Sequence, residues 1–120
     1  DWLAFHHPTM LGLLRGPADP AAFVKLEARI GHSLPDAFKH SYLIHDGSDP
    51  RAGPLIGLPL MSLAEAGDNW AFWAELAGDA ELIKDLSEDH QSRPPGAVRP
   101  LYANRNWVPF AGNSLHYVAL

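Results

Sequence analysis

The chain is expected to adopt an α+β fold, with an N-terminal helix pair packed on a curved antiparallel or mixed sheet. Apolar residues recur at helical spacing early in the chain, the period falls to two near its end, and firm Gly and Pro punctuation separates the segments. Helices gathered early and strands gathered late favour segregated layers over the alternation of a doubly wound parallel sheet. With 120 residues, 47% of them hydrophobic, there is material for one core, so residues 1–120 are expected to form a single domain.

Residues 1–16 are apolar without a clear period. Asp19 and Pro20 are a good N-cap and first helical residue, and Phe23, Leu26 and Ile30 continue at helical spacing up to Gly31, an expected left-handed C-cap. In the stretch EARIGHSLPDAFKHSYLIHDG (27–47), Pro35 pushes Leu34 out of the helical region and starts a second helix. Phe38 and Tyr42 share one face of it, with Ile44 near the flank, and Gly47 closes it. Two helices joined so tightly are expected to fold back as a pair.

PLIGLPLMSL (54–63) reads as a short edge strand broken by Gly57 and Pro59. Ser62 and Glu65 form a capping-box pattern, and Leu63, Ala66, Trp70, Trp73 and Ala77 continue as a third helix, weakened in its first turns by Gly67. Residues 78–96 carry a weak helical stripe (Leu82, Ile83, Leu86) and hold five acids against two bases. VRPLY, NWVPF and LHYVAL then read as three strands, the last two joined by AGNS.

The charge of −5, the pI near 5.7 and only nine Lys and Arg argue against a nucleic-acid-binding surface. With no cysteine there are no disulfides, zinc-thiolate sites or thiol nucleophiles, which suits a reducing, cytoplasmic setting. The first residues lack a signal-peptide pattern, and no apolar run reaches the roughly 20 residues a membrane span needs. The missing initiator Met and the ending in mid-alternation predict that both ends are cut from something longer.

Glu27, Ile30, Gly31, Leu34, Pro35, Phe38 and Gly47, then Gly57, Leu60, Leu63 and Trp70, then Tyr102, Trp107, Val108, Pro109 and Phe110, form a spaced set. Its weightiest parts are E-x-x-I-G-x-x-L-P-x-x-F and the terminal W-V-P-F. The set resembles the SUKH superfamily, which includes the fungal Smi/Knr regulator of cell-wall synthesis. The resemblance spans residues 20–120, leaves 1–19 outside it, and makes 78–96 an acidic insertion. It implies a helix pair on a curved sheet. In bacteria it implies an immunity protein that neutralises a toxin, often a nuclease, and in fungi a regulatory scaffold. The family usually continues past LHYVAL with an Asp and further elements, so the C-terminal part is expected to be missing.

The motif residues Gly31, Leu34, Pro35, Phe38, Gly47, Trp107, Pro109 and Phe110 are explained by folding: caps, core, and a strand in which Trp107 and Phe110 alternate with Val108. Pro109 should sit where no ladder amide is needed. Among seven histidines, His6 and His7 are adjacent, and His40 and His45 lie about 140° apart around a helix. No metal-ligand spacing occurs. Nucleophile-elbow, phosphate-loop and dinucleotide signatures are absent, so neither an enzyme nor a cofactor is implied, and the pair Asp46 and Asp49 reads first as solvated turn residues.

Partner-binding candidates are Trp73, a favoured interface anchor, the loop acids Asp46 and Asp49, and the acidic stretch Asp79, Glu81, Asp85 and Glu88. Such carboxylates can imitate a phosphate backbone and fill the cationic groove of a nuclease, with salt-sensitive association as the signature. Reversing Asp79, Glu81 and Asp85 is expected to weaken binding while leaving stability nearly unchanged. The leading expectation is an immunity protein bound to a basic, nuclease-type toxin. The alternative is an intracellular regulatory or scaffold domain.

Overall fold

The computed structural model describes residues 2–53, 57–113 and 116–120. In chain order it contains α1 (Trp2–His6), α2 (Pro8–Leu13), α3 (Pro20–Ile30), α4 (Asp36–Tyr42), α5 (Leu63–Leu76), α6 (Ala80–Ser87), β1 (Pro109–Gly112) and β2 (Tyr117–Ala119). The fold is α+β, as the sequence predicts.

Local chemistry sets the helix ends. The Asp19 carboxylate accepts from the Ala21 amide at 2.9 Å, and Gly31 closes α3 at φ 81°. Glu27 then stitches α3 to α4: its Oε1 accepts from the Leu34 amide at 2.8 Å and from Lys39 Nζ at 2.6 Å. Pro35 is the N-cap of α4, and the helix starts at Asp36, one residue after the expected start, because the ψ of Pro35 is an extended 143°. Ser62 and Glu65 complete the capping box of α5, and the Asp46 carboxylate takes the Leu63 amide at 2.7 Å. Arg15 reaches the same Glu65 with two bonds of 2.9 and 3.1 Å.

Phe23, Leu26, Ile30, Leu34, Phe38, Tyr42, Leu63 and Val108 form the core, with Trp70 and Phe110 packed against it. α3 and α4 share this core, but α3 lies mainly along α5. Gly67 permits that approach, since a Cβ there would stand 3.3 Å from Leu26 Cδ1. A glycine that weakens the helix locally is thus matched to a close approach by the Leu26 and Arg29 side chains.

Several sequence expectations are corrected. Gly47 does not cap α4, which ends at Tyr42 with Leu43 as C-cap; it turns the chain at φ 81° against Met61 and Ser62. Residues 1–16, read without a period, carry two short helices. VRPLY is not a strand, and of NWVPF only Pro109 and Phe110 belong to β1, which runs on to Gly112. Of the expected strand 54–63, residues 54–56 lie outside the described residues, and 57–62 contribute pairing without a named strand. In the AGNS turn, Ala111 and Gly112 belong to β1, while Ser114 lies outside the described residues.

The sheet is wider than its two named strands. β1 pairs antiparallel with β2, with a register irregularity between Pro109 and Ala111. On its other edge Leu60 bridges Ala111, with Met61 N donating to Phe110 O at 2.9 Å. Ser48 N donates to Leu60 O at 2.9 Å, and Arg15 N to Gly47 O at 3.0 Å. The row therefore runs 13–16, 46–49, 59–61, β1, β2. Pro109 sits between the Val108–Leu120 bonds and the next pair, where no ladder amide is required.

Candidate functional site

A cavity of about 240 Å³ opens where α5, the segment after α6 and the β1–β2 ribbon meet. α5 contributes Trp73, the long segment contributes His90, Tyr102 and Trp107, and the ribbon contributes Pro109 and Tyr117. Trp73 lies 5.6 Å from Tyr102 at 56° and 5.3 Å from Tyr117 at 77°, and His90 meets Tyr102 edge-on at 5.7 Å and 87°. The rings are ridges standing against one another rather than a flat platform.

Short hydrogen bonds hold the walls. Tyr102 N donates to Ser87 Oγ at 2.8 Å, tying the segment to the end of α6. Asn104 Oδ1 accepts from Asn106 N at 2.9 Å and its carbonyl from Trp107 N at 3.0 Å, a turn that delivers Trp107 to the cavity. The Trp70 indole donates to Arg105 O at 2.8 Å, so the two tryptophans of α5 divide their work: Trp70 faces the core and Trp73 the cavity.

Trp107 was expected in the core. It is half-buried in the cavity wall, because β1 begins two residues later and Val108, 1% exposed, takes the inward position. Among the described residues, the indole N–H groups of Trp73 and Trp107 and the hydroxyls of Tyr102 and Tyr117 have no hydrogen-bond partner. The cavity wall combines these rings with His90 and Asn104, and among the described residues it includes no Lys, Arg, Asp or Glu.

The acidic candidates separate into two groups. Asp46 is engaged with α5. Asp49 is paired with Arg51 at 2.8 Å, which holds its carboxyl down to about 2. Asp79 is the N-cap of α6, accepting from Leu82 N at 3.0 Å. Glu81, Asp85 and Glu88 are exposed, and α6 ends at the Ser87 that anchors Tyr102. The structure brings Trp73 and the end of α6 to one place; Asp46 and Asp49 are not part of it.

A second concavity, about 600 Å³, is lined by Leu3, Leu14, Phe38, Ile44, Phe110 and Leu120 among others. Its polar neighbours are engaged elsewhere: Tyr42 Oη donates to Met61 O at 2.8 Å and His45 Nδ1 to Arg15 O at 2.7 Å. Burial drives the Tyr42 hydroxyl up, out of any useful titration range. Among the described residues no group of three or more His, Asp or Glu could hold a metal ion, and no helix is long and apolar enough to cross a membrane.

Sequence reasoning missed Tyr102, His90 and Tyr117 as site residues. They lie in segments without periodicity, and the available signal was the aromatic spacing after residue 90.

A small α+β fold with an aromatic recess at its surface defines a class of chain whose evident asset is a shaped face. The chain belongs to the SMI1 / KNR4 family (SUKH-1), whose model matches residues 17–120. It is 32% identical over 104 residues to the cell wall biosynthesis/cell cycle regulator smi1 of Schizosaccharomyces pombe, covering 75% of this chain and 21% of that protein. It is 25% identical over 150 residues to the cell wall assembly regulator SMI1 of Saccharomyces cerevisiae, covering 95% of this chain and 30% of that one. A KNR4/SMI1 homolog of Yarrowia lipolytica is 32% identical over 157 residues, covering 93% and 22%. The chain therefore spans less than a third of the length of these curated relatives.

Proposed function

We propose that this chain is a non-catalytic protein-interaction domain of a regulatory protein of the cell-wall-regulator kind, docking its partner at the aromatic cavity. The observation that carries this reading is the convergence of Trp73, Tyr102, Trp107 and Tyr117 on one recess. Buried aromatic anchors in a pocket supply most of the energy at protein interfaces. The names of the relatives favour regulation over toxin neutralisation.

The test is replacement of the matching segment of the fission-yeast relative by this chain, scored as growth on a wall-perturbing dye. The native chain should restore growth, and a Trp73→Ala, Tyr117→Ala chain of equal abundance should not. Restoration by both would remove the cavity from the function.

A second reading keeps the toxin-neutralising role, supported by the exposed carboxylates of Glu81, Asp85 and Glu88. It predicts a complex with a basic nuclease toxin that weakens steeply with salt. Survival of toxin-expressing cells that is unchanged on reversing these three charges would count against it.

A further inference from the structure

We propose that two copies of this chain pair about a two-fold axis, the aromatic tip of α1 in each copy seating in the apolar groove of the other. This uses a different face from the aromatic cavity and does not depend on it. α1 also precedes the residues that the family model matches.

The tip is apolar and left in water. Residues 2–14 hold no Lys, Arg, Asp or Glu, yet α1 and α2 bury none of their residues, and α1 rests mainly on α2. Trp2 is 65% exposed and Phe5 82%. Their rings gather with the imidazoles of His6 and His7, Trp2 at 4.7 and 5.4 Å from the two and Phe5 at 4.9 Å from His6. An exposed apolar cluster of this kind marks an interaction surface.

The groove of about 600 Å³ is its complement. A cavity of roughly 150 Å³ holds one benzene ring, so there is room for an indole and a phenyl. Ile44 and Leu120 stand 64% and 42% exposed at the groove, and the Tyr42 hydroxyl and His45 Nδ1 are bonded to Met61 O and Arg15 O. Among the described residues its lining includes no Lys, Arg, Asp or Glu. Neither surface therefore loses the hydration of an ion on closing, and neither carries the net charge of −5 that opposes association of two copies.

The tip does not fill its own groove. Leu3 lines that groove, and on a helix it stands about 100° from Trp2 and about 160° from Phe5. With Leu3 turned inward, both rings face away. Between them Trp2 and Phe5 leave about 300 Å² in water, and two tips, each covered by an equal area of groove wall, remove about 1,200 Å², the lower end of a specific, stable interface. A two-fold pair makes both contacts at once from one sequence.

Sedimentation velocity of the intact chain, from micromolar to near-millimolar concentration, should show a monomer–dimer equilibrium. The tip variant Trp2→Ala, Phe5→Ala and the groove variant Ile44→Asp should each weaken dimerisation at least about tenfold, because every change acts twice across the axis. All three positions are exposed, so thermal melts at low concentration should match the native chain. An equimolar mixture of the two variants should dimerise more strongly than either alone, since the intact tip of one meets the intact groove of the other. A monomer throughout the range overturns the proposal, whatever else the groove then binds. So does a dimer untouched by the variants, and so does a mixture no stronger than its components, the result expected if two tips merely stack on each other.

Discussion

Alanine at Gly47 and at Gly31 should have very different costs, although both glycines have φ of 81°. A side chain in the left-handed region costs about 1–2 kcal/mol, and the stiffer unfolded chain returns about 0.4–1 kcal/mol. At Gly31 nothing lies within 4 Å of a new Cβ, so the net cost is about 1 kcal/mol. At Gly47 the new atom would stand 2.5 Å from Ser62 N and 2.7 Å from Met61 C, both backbone. Relief requires parting residues 46–48 from 60–63. That endangers the 2.9 Å bond from Ser48 N to Leu60 O and the 2.7 Å bond from Leu63 N to the Asp46 carboxylate. Such bonds are worth about 1 kcal/mol for the neutral pair and about 1.5–3 for the charged one. Gly47→Ala should therefore cost about 3–5 kcal/mol, a large share of the roughly 5–15 kcal/mol that holds a domain together. At about 4 °C per kcal/mol for a chain of this size, Tm should fall about 4 °C for Gly31→Ala and about 12 °C or more for Gly47→Ala. Urea and thermal denaturation measure both. Equal shifts would refute the claim that Gly47 is fixed by close backbone approach rather than by φ alone.

Val108→Ala should cost about 2–3 kcal/mol through its cavity in the core, and Trp107→Ala less than the roughly 3–5 kcal/mol of a buried aromatic, as read from urea midpoints; the reverse order would return Trp107 to the core. The bonds from Lys39 and Leu34 hold the Glu27 carboxyl below its ordinary value, so its contribution is complete above about pH 4.3 and is lost as pH falls through the lower folded value. Stability should accordingly drop on acidification, and less steeply in Glu27→Gln, as denaturation midpoints between pH 7 and 3 will show. Asp79→Ala should cost about 1 kcal/mol as a lost N-cap, with faster amide exchange in α6, whereas Glu81→Ala should leave exchange there unchanged.

The parts of the fold that were legible in the sequence are those whose chemistry is local. Asp19, Gly31 and the Ser62–Glu65 box act within a few residues of themselves, so their pattern alone places three helix ends. The sheet was harder, because β1 and β2 have four and three residues and most of the row is single bridges between distant segments. Too few alternations exist in each piece for a period of two to register. Conversely VRPLY has strand-like composition but is not a strand; Tyr102 N instead donates to Ser87 Oγ. Of the cavity lining, the sequence reading took only Trp73 as a partner-binding candidate and read Trp107 and Pro109 as structural. Tyr102 and Tyr117 are 29 and 44 positions beyond Trp73, and only the closing of the ribbon against α5 brings their rings together. Asp46, Asp49 and Asp79 show the opposite case: an acid beside a turn looks free in sequence, while in the structure each is engaged by an amide or a guanidinium.

Val108 joins these two lessons. It is 1% exposed and belongs to the core, yet the residues on either side of it, Trp107 and Pro109, line the cavity. A W-V-P run therefore does two jobs through one backbone: the middle side chain anchors the ribbon on α3, α4 and α5, and the outer two shape the recess. An aromatic wall held by a packed neighbour loses little side-chain entropy when a ligand arrives, which is the physical advantage of preorganisation. The distinction between residues that mark the fold and residues that mark the site consequently fails at this point in the chain. A run that reads as structural in the sequence is also what gives the recess its rigidity, and a partner that recognises the recess is recognising the family's own packing.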